Sequence, residues 1–235
     1  MSETIFVEKC RTYIDCHLQS PKGAAQPGQL KHLPAVTISR ETGAGGISVA
    51  ERLAAELQAR APGAKCPWTV FHKNLVERIL EDHKLPARLA QFMPEDKVSG
   101  IADAIEEWFG LHPPSWNLVR HATETILHLA ELGNVILVGR GANVITAGLD
   151  HVFHVRLVGS VEKRIPRVME RHQLGEAAAR AYIRKGDAAR ARYVKKHFGK
   201  DVADPLQYHL VINTDSLSLE ETTLLIAAVI LKKYY

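Results

Sequence analysis

At 235 residues, with 46% hydrophobic and 24% charged side chains, the chain can bury one large α/β core, and its composition excludes a disordered or fibrous protein. A net charge of +4 is too mild for the dense basic face that long nucleic acids call for, and it suits a small anionic substrate. Three sparse cysteines without a CxxC pair or metal spacing, and an apolar run at residues 222–231 about half as long as a membrane span, point to a reducing, cytoplasmic setting with no membrane contact.

The N-terminal stretch mixes polar and apolar residues and is not a signal peptide. Residues 4–19 carry Ile5, Phe6, Cys10, Tyr13, Ile14 and Leu18 near helical period, and SPKGAAQPGQLKHLP then reads as a linker. Residues 1–33 are therefore expected to be a helix and linker appended to a main domain at 34–235. That domain opens with AVTIS, a short apolar run suited to a buried parallel strand, and continues into an amphipathic helix over 47–60. PWTVFH (67–72) predicts a second strand and NLVERILEDH (74–83) a helix. Residues 84–114 read as short helices and loops. A long helix follows at 115–133, with Ser115 and Gly133 as caps.

NVILVGRG (134–141) predicts a strand ending in a glycine turn. HVFHVRLVG (151–159) predicts another, with a hairpin-like approach. Two basic helices span 160–174 and 175–199. YHLVINT (208–214) is the last strand, and a helix at 218–233 opens with Ser218 and Glu221 at capping-box spacing. Five strands alternating with helices predict a parallel sheet with helices on both faces, with ligands at the carboxyl ends of its strands. Trp68, Trp108 and Trp116 are expected as core or interface anchors, His151 and His154 as structural histidines, and Asp201 and Asp204 as caps or braces.

Two segments carry chemistry. In ISRETGAGGIS, Gly43, Gly45 and Gly46 let backbone N–H groups turn toward one centre at a helix N-terminus, and Ser48 stands where a hydroxyl can meet Mg²⁺ or a phosphate oxygen. The lysine of a GxxxxGK[ST] loop is absent, because Gly46 occupies its place. Another cation must then stand in: Arg40 is nearest in sequence, with Lys73 and Arg164 as further candidates. The bland alternative is a glycine turn joining a strand to a helix. In the basic segment, Arg164, Arg167 and Arg171 share one helical face, and Asp187, Arg190 and Arg192 form DxxRxR, in which an acid can hold an arginine in place. Such charge suits phosphoryl transfer. It equally suits a solvated helix pair or an RNA patch.

Taken in order, VTISRETGAGGISVAERLAAEL, FHKNLVERIL, VILVGRGAN, VFHVRLVGSVEKRIPRVMER, DAARARY and GKDVADPLQYHLVINT resemble the cytidylate kinase-like family, a branch of the P-loop nucleoside monophosphate kinases. The resemblance implies a P-loop NTPase-like three-layer α/β/α fold with a parallel five-stranded sheet and a helical lid at about residues 160–200. It implies ATP and Mg²⁺ as cofactors and a nucleoside monophosphate, CMP or dCMP, as acceptor. Gly43, Ala44, Gly45, Gly46, Ile47 and Ser48 fall on the ATP loop, with Ser48 as the metal-side hydroxyl. Lys73, Arg78, Arg140, Asp187, Arg190 and Arg192 fall on substrate-contacting positions, and Arg164 and Arg167 on the arginines that open the lid. Arg40, Ser48, Arg164 and Arg167 are the expected catalytic set. Three departures stand out: Gly46 replaces the loop lysine, Gly141 replaces the acid of a GRD motif, and Lys73 stands at a hydroxyl position. A nucleotide-binding regulator or adaptor without turnover, and an RNA-binding module, are the alternative functions.

Overall fold

The computed structural model describes residue 8, residues 12–17, 33–61 and 66–72, residue 105 and residues 117–235. The expected helix at 74–83, the segment 84–114 apart from residue 105, and the cap Ser115 lie outside the described residues, as do Lys73, Arg78, Trp108 and Trp116. The described elements are β1 (Ala35–Arg40), α1 (Gly46–Arg60), β2 (Thr69–His72), α2 (Asn117–Leu132), β3 (Val135–Val138), α3 (Ala142–Ile145), β4 (Val152–Val158), α4 (Val161–His172), α5 (Glu176–Phe198), a 3₁₀ turn (Pro205–Gln207), β5 (Leu210–Asn213) and α6 (Leu219–Tyr234).

The strands form one five-stranded sheet in the order β2-β3-β1-β4-β5, and every pairing is parallel. This is the expected α/β/α architecture. β4 is parallel to both neighbours, so its hairpin-like approach is not realised; the chain enters it from the turn after α3. Connections leave β1 toward β2 and β3 on one side and β4 and β5 on the other, which opens a crevice at the carboxyl end of β1.

Side-chain alternation along the strands assigns the two faces. Val36, Ile38, Phe153, Val155 and Leu157 face α1 and α6, where they pack with Val49, Leu53, Leu57, Ile226 and Ile230. Trp68 joins this cluster. Ala35, Val135, Leu137 and Val152 face the other way and meet Leu129 and Ala130 of α2. Tyr13 and Ile14 complete that second cluster, both fully buried. The Tyr13 hydroxyl donates to the Gly133 carbonyl at 2.5 Å, and its ring meets Phe71 edge-on. Residues 12–17 thus pack on the main body and contribute side chains to its core. Cys16 and Cys66 are joined by a disulfide across 50 residues, so two of the three cysteines are paired in the structure.

α6 begins with a complete capping box: the Ser218 hydroxyl accepts from the Glu221 amide, and the Glu221 carboxylate accepts from the Ser218 amide. Of its apolar run, Ile226, Ala227 and Ile230 are buried, whereas Leu224 and Leu225 face outward. No helix among the described residues is long and apolar enough to cross a membrane.

Candidate functional site

At the carboxyl end of β1 the chain turns through Gly43 and Gly45, with φ of 85° and 82°, a conformation open to glycine at little cost. α1 then starts at Gly46 without a side-chain cap. The Thr42 amide donates to the Asp187 carboxylate and the Ala44 amide to the Glu41 carbonyl. Among the described residues no protein acceptor meets the amides of Gly43, Gly45, Gly46, Ile47 or Ser48. These donors border a cavity of about 750 Å³, lined also by Arg40, Arg167, Arg171 and Arg190. Glu41 and Glu170 line it too, but four arginines outnumber them, and an open helix N-terminus in such a setting suits an anion.

Gly46 is explained by what lies over it. A β-carbon there would stand 2.8 Å from Arg40 Cγ and 3.2 Å from both Cβ and Cδ. The Arg40 side chain therefore occupies the space that a loop side chain at position 46 would need. Its Nη1 is buried without a hydrogen-bond partner. Burial, and then the like charges of Arg190, Arg140 and Arg171, push the Arg40 guanidinium down to about 10. Arg190 is similar. Its Nη1 reaches the Thr42 hydroxyl and lies 3.4 Å from Asp187 Oδ1, its Nε is buried and unpartnered, and burial lowers its pKa despite the carboxylate. Two guanidinium groups with unmatched buried donors in one cluster signal a site short of negative charge.

The wall behind the loop is a matched ion network. Arg164, only 4% exposed, donates to Asp187 Oδ2 at 2.7 Å and to the Thr42 carbonyl at 3.0 Å, and lies 3.6 Å from Glu41 Oε2. Asp187 Oδ1 accepts from both the amide and the hydroxyl of Thr42, at 2.7 and 2.8 Å. Glu41 accepts from the Gly159 amide. α4 and α5 are thereby clamped to the loop. Gly186, in the middle of α5, completes the fit, since a β-carbon there would stand 2.5 Å from the Thr42 hydroxyl.

The structure brings Arg40, Gly43, Gly45, Gly46, Ile47, Ser48, Arg167 and Arg190 to one cavity. Ala44 is fully buried beneath it. Arg167 also donates, at 3.4 Å, to the Gly43 carbonyl and to Thr214. Arg164 and Asp187 stand behind the loop with their charges spent on each other. Arg140 stacks over Tyr193 at 5.9 Å, close enough to act on Arg40 and Arg190. Arg192 is exposed and lines no part of the cavity. Sequence reasoning missed Glu41 and Thr42, whose partners lie more than 100 residues away; the glycine inside the KGDAAR helix was the one local sign of a close approach. His154 bonds Thr37, His151 approaches the Ala130 carbonyl, and Asp201 and Asp204 each accept from an amide two residues on.

A metal and a nucleotide can be tested against these residues. Among the described residues no group of three His, Cys, Asp or Glu side chains could hold a metal. Ser48 lines the cavity, and a hydroxyl there fits as one protein ligand of a Mg²⁺ otherwise held by phosphate oxygens and water, the usual pattern for that ion.

A model of the cytidylate kinase-like family matches residues 35–216. A cytidylate kinase from Methanopyrus kandleri is 34% identical over 109 residues, which cover 43% of this chain and 56% of that protein. A uronate isomerase from Corynebacterium glutamicum is 28% identical over 117 residues, covering 50% of this chain and 22% of the isomerase. The matches thus span about half of the curated kinase and about a fifth of the curated isomerase. Among solved structures, an uncharacterized protein from Eubacterium ventriosum superposes with a TM-score of 0.66 at 21% identity, covering 85% of this chain and 99% of that one.

Proposed function

Because the chain belongs to the cytidylate kinase-like family, we propose that it is a phosphotransferase moving the γ-phosphoryl group of ATP to a nucleoside monophosphate, with CMP or dCMP as acceptor. The observation that carries this reading is Arg40. Its side chain fills the space over Gly46, and its buried, unmatched Nη1 stands beside the glycine loop.

On this reading the free amides of Gly43 and Gly45 to Ser48 cradle the β- and γ-phosphates. Arg40 supplies the positive charge that a loop lysine gives elsewhere in P-loop proteins. Arg167 and Arg190 face the same space from α4 and α5, placing charge around the moving group and closing it from water. Ser48 would hold Mg²⁺, which when bound adds further neutralising charge on the phosphates. Arg140 and Arg190 receive the acceptor phosphate, with Lys73 and Arg78 assigned there by the family resemblance. No general base is needed, since the attacking oxygen is already anionic. Arg164 and Asp187 act through the loop by fixing Thr42.

The test is purified full-length protein with ATP, Mg²⁺ and a panel of monophosphates. Formation of ADP and a nucleoside diphosphate in equal amounts is expected. Stabilisation by ATP without product from any acceptor would replace the enzyme with a nucleotide-binding regulator.

A further inference from the structure

The α4–α5 pair is sealed by an apolar seam of Ile165, Val168, Ala179 and Ile183, all buried. Arg180 adds ion pairs to Glu162 and Glu176. Tyr182 belongs to neither set. It stands next to the fully buried Ile183, yet it is 44% exposed and takes no part in the seam. Of the large apolar residues that reach solvent among the described residues, Tyr182 alone lines the cavity over the glycine loop.

A second ring stands beside it. His172, the last residue of α4, also lines the cavity, and its ring meets that of Tyr182 with centroids 4.6 Å apart and planes tilted by 42°. Arg171, the residue before it, is near enough to act on Arg40, and the Tyr182 hydroxyl is near enough to act on Arg190. The α4–α5 pair therefore faces the loop with a flat apolar ring set among guanidinium groups. The guanidinium groups suit phosphate, but a phosphate gives a ring nothing to pack on. Packing of the helices leaves the ring unexplained as well, since their seam closes without it. A nucleotide carries both parts, an anionic chain and a flat π-face, and a cavity of about 750 Å³ has room for them.

We propose that Tyr182, braced by His172, is a stacking surface for the base of a nucleotide whose phosphates lie on the glycine loop or among its arginines. This rests on the phosphotransferase reading above and adds to it a base-binding residue. Both residues fall between VFHVRLVGSVEKRIPRVMER and DAARARY, outside the blocks that carry the family resemblance. Every base has a π-face, so the ATP donor and the monophosphate acceptor are the two sources of such a base, and titration tells them apart.

Calorimetric titration of the full chain with ATP, tripolyphosphate, CMP and inorganic phosphate is the test. Y182A should bind at least one of the two nucleotides about five- to a hundredfold more weakly and leave tripolyphosphate and phosphate binding unchanged. A loss for ATP assigns the donor's base to the surface, and a loss for CMP the acceptor's. Y182F keeps the ring and should match the parent, whereas H172A should weaken the same nucleotide by a smaller factor. Y182L, apolar but without a π-face, should behave as Y182A does and decides the matter if Y182A does not fold. Parent-like affinity of Y182A for both nucleotides, or an equal loss for tripolyphosphate, overturns the stacking surface. So does an equal loss in Y182F, which would assign the contact to the hydroxyl. If the parent binds tripolyphosphate, but the nucleotides no better than the bare phosphates, this surface alone fails. If it binds none of the four, the phosphotransferase reading fails with it.

Discussion

Gly46 and Arg40 form a reciprocal pair: the glycine exists because the arginine lies on it. Restoring the lysine at position 46 therefore does not restore the usual loop, since its β-carbon would collide with Arg40 at 2.8 Å. G46K alone is expected to lower the unfolding temperature and to gain no turnover. R40A should lower kcat by about a hundredfold, the typical loss when one preorganised donor to the transferring group is removed. The double variant R40A/G46K should recover part of that loss, because the lysine then has the space that Arg40 vacated. Steady-state kinetics on the four proteins measure the coupling; additive losses would show that the two positions do not exchange roles. Asp187 gives a second residue-scale test. D187N leaves Arg164 buried against half a partner, and a stability loss of about 2–3 kcal/mol is expected in urea unfolding. That is the low end for breaking a buried pair, since the Asp187 side chain is 28% exposed. A change below about 0.5 kcal/mol would remove the clamp as an organising feature.

Among elements, the segment at residues 12–17 owes its place most plainly to tertiary contacts. Its helical period is visible, yet period alone does not say what it packs against. What fixes it is tertiary: Tyr13 under α2 and the Cys16–Cys66 disulfide at the approach to β2. The bridge closes a 50-residue span, for which chain entropy gives about 4 kcal/mol. Dithiothreitol, or C16S, is expected to lower the unfolding midpoint markedly, and equal midpoints with and without reductant would contradict the pairing. α6 behaves oppositely. Its cap follows from Ser218 and Glu221 three residues apart, a local signal that needs no partner. S218A should cost about 1 kcal/mol. The α4–α5 pair is intermediate. Its helices are legible from period and charge, but its placement depends on Gly186 meeting Thr42 and Val168 meeting Gly43.

For the whole molecule, acid is the condition to which this fold is most exposed. Burial, with the neighbouring charges of His209 and Lys233, pushes His154 down to about 4, and burial does the same to His17. Both are held neutral in the folded state, whereas an unfolded histidine takes up its proton near pH 6.5. The unfolded chain therefore binds more protons below that point. The stability is complete above about pH 6.5 and is lost as pH falls from there toward 4. For His154 the loss between pH 7 and pH 5 is on the order of 2 kcal/mol. Urea unfolding at the two pH values should show it, and H154Q should flatten the dependence by about one proton. An unchanged slope in that variant would mean that His154 does not stay neutral.

Period and punctuation carried most of the architecture. Short apolar runs, glycine turns and amphipathic stretches are consequences of local backbone geometry, so the described strands, their order along the chain and the parallel sheet were all readable before any coordinates. The glycine loop at the carboxyl end of β1 was readable for the same reason. The pairing of Arg40 with Gly46, the clamp joining Thr42, Asp187 and Arg164 and the Cys16–Cys66 bridge were not. Each joins side chains whose meeting depends on strand order, register or helix placement, and no local pattern encodes whether a charge ends up matched or alone. The chain by itself determined where an anion could be held; only the packed fold decided which arginines are spent holding the protein together and which remain to meet it.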